Sequence, residues 1–452
     1  MEEEILTLTE ELLELFKSRQ FQALKQKIAD LMPYDIAVFM EAELDDAEQL
    51  VFFRLLPKDF ASDVFVELAP DTQEAFIHKF TDKELKTVID DMFLDDTVDI
   101  IEEMPANVVK RILKTARAED KIIINKLLQY PEDSAGSIMT PEFVALRPTM
   151  TVAEAFDKIR KNGVNKESIY TCYVTNTKKE LIGVTTVKTL LLSNKTDLIG
   201  DIMETSLISV DTLEDRESVA NKLQNYDFLA LPVIDKQGCI VGIITIDDVV
   251  DVITEEATED IHKMAGVAPT EKPYLKESIF SIWKARAPWL IILLITSTFT
   301  SMILANYESR LSPILYAFVP MLMGTAGNAG GQTSVTIIRA IAVEGVSFAD
   351  ILKVIFKELM VSLLVGLSVA IICFAKIMLL DRLYHDITIE IALLISAVCL
   401  ISIVMAKLVG CILPLLAKKI KLDPAVVASP LMTTIVDALS LIIYCSISIA
   451  VL

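Results

Sequence analysis

From about residue 284 onward the chain is dominated by apolar stretches, and this limits its fold more than any other feature. A helix that crosses a hydrocarbon core of about 30 Å needs roughly 17–25 such residues. Five stretches qualify. Residues 287–307 carry no charge, 311–338 are longer and rich in glycine, and 359–380 are interrupted only by Lys376. Residues 391–417 hold Lys407 well inside, and 424–452 hold Asp437, the one charged residue after Asp423. A carboxylate near a bilayer centre costs about 2.5–3.5 kcal/mol on insertion scales, so it faces a bundle interior, a partner charge or a wet path. Asp437 therefore marks a candidate route for cations, the alternative being a buried carboxylate paired with Lys407 or Lys376.

Basic residues beside short loops set orientation. Lys284 and Arg286 precede the first stretch, Arg339, Lys353 and Lys357 lie between the second and third, and Lys418, Lys419 and Lys421 between the fourth and fifth. These regions are expected on the cytoplasmic side. The opposite loops hold Arg310, and Arg382 near His385. Five spans then leave the carboxyl terminus outside.

Charge divides the chain. Residues 1–280 contain 54 acidic and 30 basic side chains, a balance of −24, whereas 281–452 contain 9 and 12, a balance of +3, which together give −21. An acidic field of this kind repels nucleic acid and concentrates cations, so no nucleic-acid partner is expected. Met1-Glu2-Glu3-Glu4 lacks the basic start and apolar run of an export signal, which places the front half in the cytoplasm. The six cysteines, Cys172, Cys239, Cys373, Cys399, Cys411 and Cys445, form no close pair, and His78, His262 and His385 lie far apart. Neither a disulfide framework nor a zinc-type site is indicated.

The first 130 residues repeat. Met32-Pro33, Leu56-Pro57 and Met104-Pro105 share a 24-residue grid, with Phe80-Thr81-Asp82 at the missing step. Leu44-Asp45-Asp46, residues 68–71, Leu94-Asp95-Asp96 and residues 118–120 supply further helix starts, since Asp and Pro suit first helical positions. The expectation is an all-α helical-repeat domain over 1–130 whose short helices stack their apolar faces. From 131 to 253 the pattern becomes α/β and occurs twice. Ile138-Met139-Thr140 before 143–146 matches Ile202-Met203-Glu204 before 207–210, and 182–187 answers 241–246. With Leu231-Pro232-Val233-Ile234-Asp235, these residues resemble a tandem CBS pair, which implies a regulatory dimerising unit with an adenine nucleotide such as ATP in its cleft. The second copy keeps Asp247 and Asp248 at the helix start, where the first has Lys188-Thr189. The nucleotide contacts implied are Tyr170, Lys188, Phe228 and Asp248.

An acidic connector follows, assigned with its linker to 254–283. If helical, it puts Asp248, Asp251, Glu255 and Glu259 on one face, with Glu256 and Asp260 on its flank. Such a face is either solvated, with a Glu259–Lys263 pair, or a set of divalent-cation sites, because carboxylate oxygens suit a hard cation such as Mg2+.

Two motifs complete the pattern: residues 324–333, Gly-Thr-Ala-Gly-Asn-Ala-Gly-Gly-Gln-Thr, and Leu422-Asp423-Pro424-Ala425 running on to Asp437. Together with residues 256–263 they resemble the MgtE family of magnesium channels, over the whole chain and in module order. The resemblance implies homodimers in lipid with a five-helix transmembrane domain, here 284–452, whose second and fifth spans line one pore. By position it makes Asp437 the pore carboxylate for Mg2+, with Gly324, Gly327, Asn328, Gly331, Gln332, Ser429 and Thr433 lining the path. Mg2+ dehydrates reluctantly, so paired carboxylates and carbonyls that hold a hydrated ion select it by size and charge. Regulatory metal positions are Asp95, Asp96, Asp215, Glu217, Asp227, Asp248, Asp251, Glu256, Glu259 and Asp260. Cytosolic Mg2+ bound there would hold the pore shut. The chain departs from the family pattern at Gly331, Val335 and Ser429, where Asn, Thr and Asn are usual, which leaves other divalents such as Co2+ or Mn2+ as alternative cargo. A membrane-anchored CBS sensor that conducts nothing is the competing class. No nucleophile, base and orienter grouping points to an enzyme.

Overall fold

The computed structural model describes residues 2–270, 274–275, 277–308, 310–383, 387–428 and 430–451. It divides into two compact units, Met1–Ile253 and Thr254–Leu452.

Ten helices from Glu2–Lys17 to Ala118–Leu127 build the front of the first unit. Their starts follow local chemistry. Asp45 and Thr81 each accept from backbone amides of the first turn, and Glu48 and Glu84 reach back in capping boxes. Pro33 and Pro70 sit in first turns, where a missing N–H costs nothing. Gln49 and Gln73 are buried, and each side-chain amide donates to two backbone carbonyls, which removes the cost of burying it. Arg111 similarly reaches the carbonyls of Ile77 and Phe80.

Two three-stranded sheets follow, each with an outer parallel pair and an antiparallel pair. The first contains β1 (Phe143–Leu146), β2 (Ser168–Thr175) and β3 (Leu181–Thr186). The second contains β4 (Val210–Asp211), β5 (Ala230–Ile234) and β6 (Ile240–Thr245). The sequence repeat reappears as a reciprocal contact. Thr140, which opens the first copy, bridges to Ile243 on β6, and Glu204, which opens the second, bridges to Val184 on β3. Met203 lies on Gly183 and Met139 on Gly242, where a Cβ would stand 2.8 Å from the Met139 sulfur. Where a strand is expected at 207–210, the second copy has only Val210–Asp211 paired. Apolar side chains of the helical repeats share one core with Val219, Leu223, Leu231, Val233, Ile244 and Val249 of the second copy, while the first copy has its own.

The last helix of the CBS pair continues without a break as Ile246–Met264, a 19-residue connecting helix. Beyond it, five helices among the described residues are long enough to span a bilayer: Ile279–Glu308, Val319–Val343, Ile351–Leu379, Ile389–Lys419 and Pro430–Val451. Even the shortest, 22 residues, extends roughly 33 Å at 1.5 Å per residue. Among the described residues four are also apolar enough to cross a membrane by composition. The glycine-rich second helix is less apolar because Thr325, Asn328, Gln332 and Thr336 lie within it. The first helix exposes Leu290, Ile291, Leu294, Ile295 and Phe299, a contiguous apolar surface suited to acyl chains. The described residues of the final stretch are helical over Pro424–Ala428 and Pro430–Val451.

Candidate functional site

Asp437 lies in the second turn of the last helix, facing the glycine-rich helix. A Cβ placed on Gly327 would stand 3.6 Å from Asp437 Oδ1 and 3.2 Å from Thr433 Cγ2. The absence of a side chain at Gly327 is thus what lets a carboxylate and a threonine, one turn apart, lie against the neighbouring helix backbone. Met432 and Val436, beside Thr433 and Asp437 on the last helix, are fully buried with Ala326 and Ala406, which fixes its rotation. Among the described residues Asp437 has no ion-pair partner. The two amines that sequence offered as alternatives are engaged elsewhere: Lys376 with Asp381 at 2.9 Å, and Lys407 with Glu358 at 3.9 Å. Glu358 precedes the third stretch as read from sequence and is enclosed because the helix starts earlier, at Ile351.

The other glycines differ. Gly330 is packed against Met432 and the Ala406 carbonyl, Gly331 meets only the Met432 methyl at 3.8 Å, and Gly324 has nothing within 4 Å. Asn328 and Gln332 lie on the same helix. Thr433 is half-buried, and Ser429 lies outside the described residues.

In the first unit, Asp95 and Asp96 open the helix Leu94–Glu103, where the N-terminal dipole favours them. Burial raises both carboxyls. Asp95 is raised to about 6, with Glu142 adding to the effect, and Asp96 to about 7, with Asp95 and Asp248 adding. Asp248 is also raised to about 7 by burial, against the bond it accepts from Thr245 Oγ1 at 2.5 Å. Glu167 reaches about 8, through burial and then Asp95, Asp248 and Asp96. One oxygen of Asp95 is buried without a hydrogen-bond partner. Such a field calls for positive charge. Yet among the described residues no three acidic, His or Cys groups converge closely enough to hold a metal by themselves. Glu142, Glu167 and Asp99 belong to this cluster and were not singled out in sequence, although Asp99 lies one turn after Asp95 on the same helix.

The remaining predicted residues are dispersed. Asp215 caps the helix Arg216–Asn225, accepting from the amides of Glu217 and Ser218. Asp227 is exposed in a left-handed turn, φ 53°, beside the stacked rings of Tyr226 and Phe228. Tyr170 is exposed on β2 and Lys188 on a short helix after β3. Asp251 lies near Glu67, whose carboxyl is raised by burial and by Asp251. In the second unit, Lys263 pairs with Glu259 at 2.7 Å and with Asp423 at 2.8 Å. Asp260 is raised by burial and then by Asp423. Glu256 is half-buried on the same helix. Asp423, next to Pro424, is a member of this group that sequence reading placed in a motif but gave no role.

These features define a multi-pass membrane protein with an acidic helical-repeat and CBS portion. Comparison with known proteins narrows the class. Residues 31–133 match the family described as the MgtE intracellular N domain, 135–193 and 199–255 match CBS domains, and 319–447 match the MgtE divalent cation transporter. The magnesium transporter MgtE of Thermus thermophilus is 35% identical, covering 99% of this chain and 98% of that one. That of Bacillus subtilis is 30% identical over 96% and 95%. A solved cytosolic domain of the Mg2+ channel MgtE in complex with ATP superposes with TM-score 0.51 at 32% identity, covering 54% of this chain and 99% of that one. The chain belongs to the MgtE family of divalent cation transporters.

Proposed function

We propose that this chain is a homodimeric Mg2+ channel of the cytoplasmic membrane, with its amino-terminal domains in the cytoplasm. Mg2+ passes Asp437 and its twin on the second subunit. One observation carries the reading: an intramembrane carboxylate without an ion-pair partner among the described residues faces a helix whose backbone is bared by Gly327. A sensor that conducts nothing has no need of such a group. The family relatives supply the ion, since both are magnesium transporters.

Divalent cations also gate the pore in this reading. The carboxyls of Asp95, Asp96 and Asp248, crowded by burial and by like charge, together with Asp251, Glu256, Glu259 and Asp260, bind Mg2+ when it is plentiful and favour the shut state. Asp215, Glu217 and Asp227 are further regulatory positions. Moving such an equilibrium from 1:99 to 99:1 takes roughly 5.5 kcal/mol of differential binding, which several weak sites can sum to. An ATP molecule at the CBS pair is the corresponding nucleotide reading, supported by the ATP complex of the solved relative, with Tyr170, Lys188, Phe228 and Asp248 as its contacts.

The test is Mg2+ uptake into proteoliposomes. Asp437→Ala is expected to lower flux by about a hundredfold or more, in keeping with loss of a charged group that holds the ion. Flux equal to that of the native chain would remove the pore assignment.

A further inference from the structure

The glycine-rich helix is held on more than one side. Toward the last helix it presents Gly327 to Thr433 and Asp437. Toward the fourth long helix it comes so close that a Cβ on Gly410 would stand 2.5 Å from the Gly330 carbonyl. One turn further, Lys407 of the fourth helix donates to Thr333 Oγ1 at 3.2 Å, and Thr333 donates to Glu358 Oε2 of the third helix at 3.3 Å. Lys407 and Glu358 are themselves 3.9 Å apart, with side chains only 7% and 13% exposed.

Apolar packing alone tolerates small rotations of a helix, but a buried amine and carboxylate that share one hydroxyl do not. Gly327 and Thr333 are six residues apart, so they differ by roughly 120° around a helix of 3.6 residues per turn. A pull on Thr333 therefore turns the Gly327 face relative to Asp437. A buried ion pair adds little stability over apolar residues of the same shape, which leaves geometric definition as its contribution. We propose that Lys407, Glu358 and Thr333 are positioning residues that fix the rotation of the glycine-rich helix against Asp437, and so set which hydrated divalent cation the site accepts. This rests on the reading of Asp437 as the ion-recognition group.

Two measurements test it. In proteoliposomes, the Lys407→Met, Glu358→Gln double variant is expected to keep Mg2+ flux but to shift inhibition by Mn2+ relative to Mg2+ by about fivefold, the scale of coupling within one hydrogen-bonded network. Thr333→Val should shift it the same way, and the exchanged pair Lys407→Glu, Glu358→Lys should restore the native preference. Flux with an unchanged Mn2+ preference in the neutral double variant or, should that variant not fold, in Thr333→Val would overturn the proposal. So would an exchanged pair that folds without restoring it.

The second measurement needs no flux. With the native cysteines replaced, Gly327→Cys and Thr433→Cys are close enough to form a disulfide on mild oxidation with copper phenanthroline. Added to the neutral double variant, or to Thr333→Val where the double variant does not fold, the same cysteines should cross-link several-fold more slowly. An equal rate, or no cross-link in the native background, would overturn the positioning role. A failure of the Asp437 reading shows instead as unchanged flux in Asp437→Ala.

Discussion

At the scale of single residues, the membrane unit turns on where a Cβ fits. Gly410 has no such room, because the added carbon meets a backbone carbonyl that cannot rotate away. Gly410→Ala should destabilise the bundle by about 1–3 kcal/mol, the range for overpacking a filled interior, and a lowered thermal midpoint of the detergent-purified protein would show it. Gly324→Ala should leave that midpoint unchanged, since nothing lies within 4 Å. Any loss of flux in Gly324→Ala then reports on the ion path or the second subunit rather than on the fold of one chain. Sequence singled out the glycines and Asp437 because a charge or a missing side chain in an apolar run is conspicuous. It gave no account of Lys407, because its partner Glu358 lies 49 positions earlier, just before the third apolar run, and is enclosed only once that helix is extended to Ile351.

Among secondary-structure elements, the CBS pair shows how a repeat becomes a contact. Met139 on Gly242 and Met203 on Gly183 are the same interaction made in both directions. The thioether can move aside, but the Thr140 carbonyl, 2.9 Å from a Cβ on Gly242, is held by its bond from the Ile243 amide at 2.8 Å. Gly242→Val is therefore expected to cost about 1–3 kcal/mol and to speed hydrogen exchange of the Thr140 and Ile243 amides. Exchange rates that match the native protein would count against this account. The repeat helices and most strands were legible because capping residues and apolar periodicity act locally. The bridges of Thr140 to Ile243 and Glu204 to Val184 were not, since each depends on which sheet edge a segment joins, a long-range choice.

Across the whole molecule, acidity and hydrophobicity are segregated, and the acidic portion stores a charge problem that either protons or metal ions can relieve. Burial, and then neighbouring carboxylates, raises Asp95, Asp96, Asp248 and Glu167 to about 6, 7, 7 and 8. Lys166 and Arg117 oppose this only at the edge of the cluster, through Glu142. The unfolded carboxyls titrate near 4, so the folded state binds more protons between about pH 4 and 8. Stability from these groups is then fully present below pH 4 and is lost as pH rises through the folded values. A divalent cation should substitute for the missing protons at the upper end of that window. In limited proteolysis of the purified full-length protein, Mg2+ is expected to slow cleavage of the first unit strongly at pH 7.5 and only slightly at pH 5.5. Each comparison is made with and without the ion at fixed pH, which removes the protease's own pH response. Protection of equal size at both values would mean that Mg2+ acts away from this cluster, and the gating role of Asp95, Asp96 and Asp248 would fall.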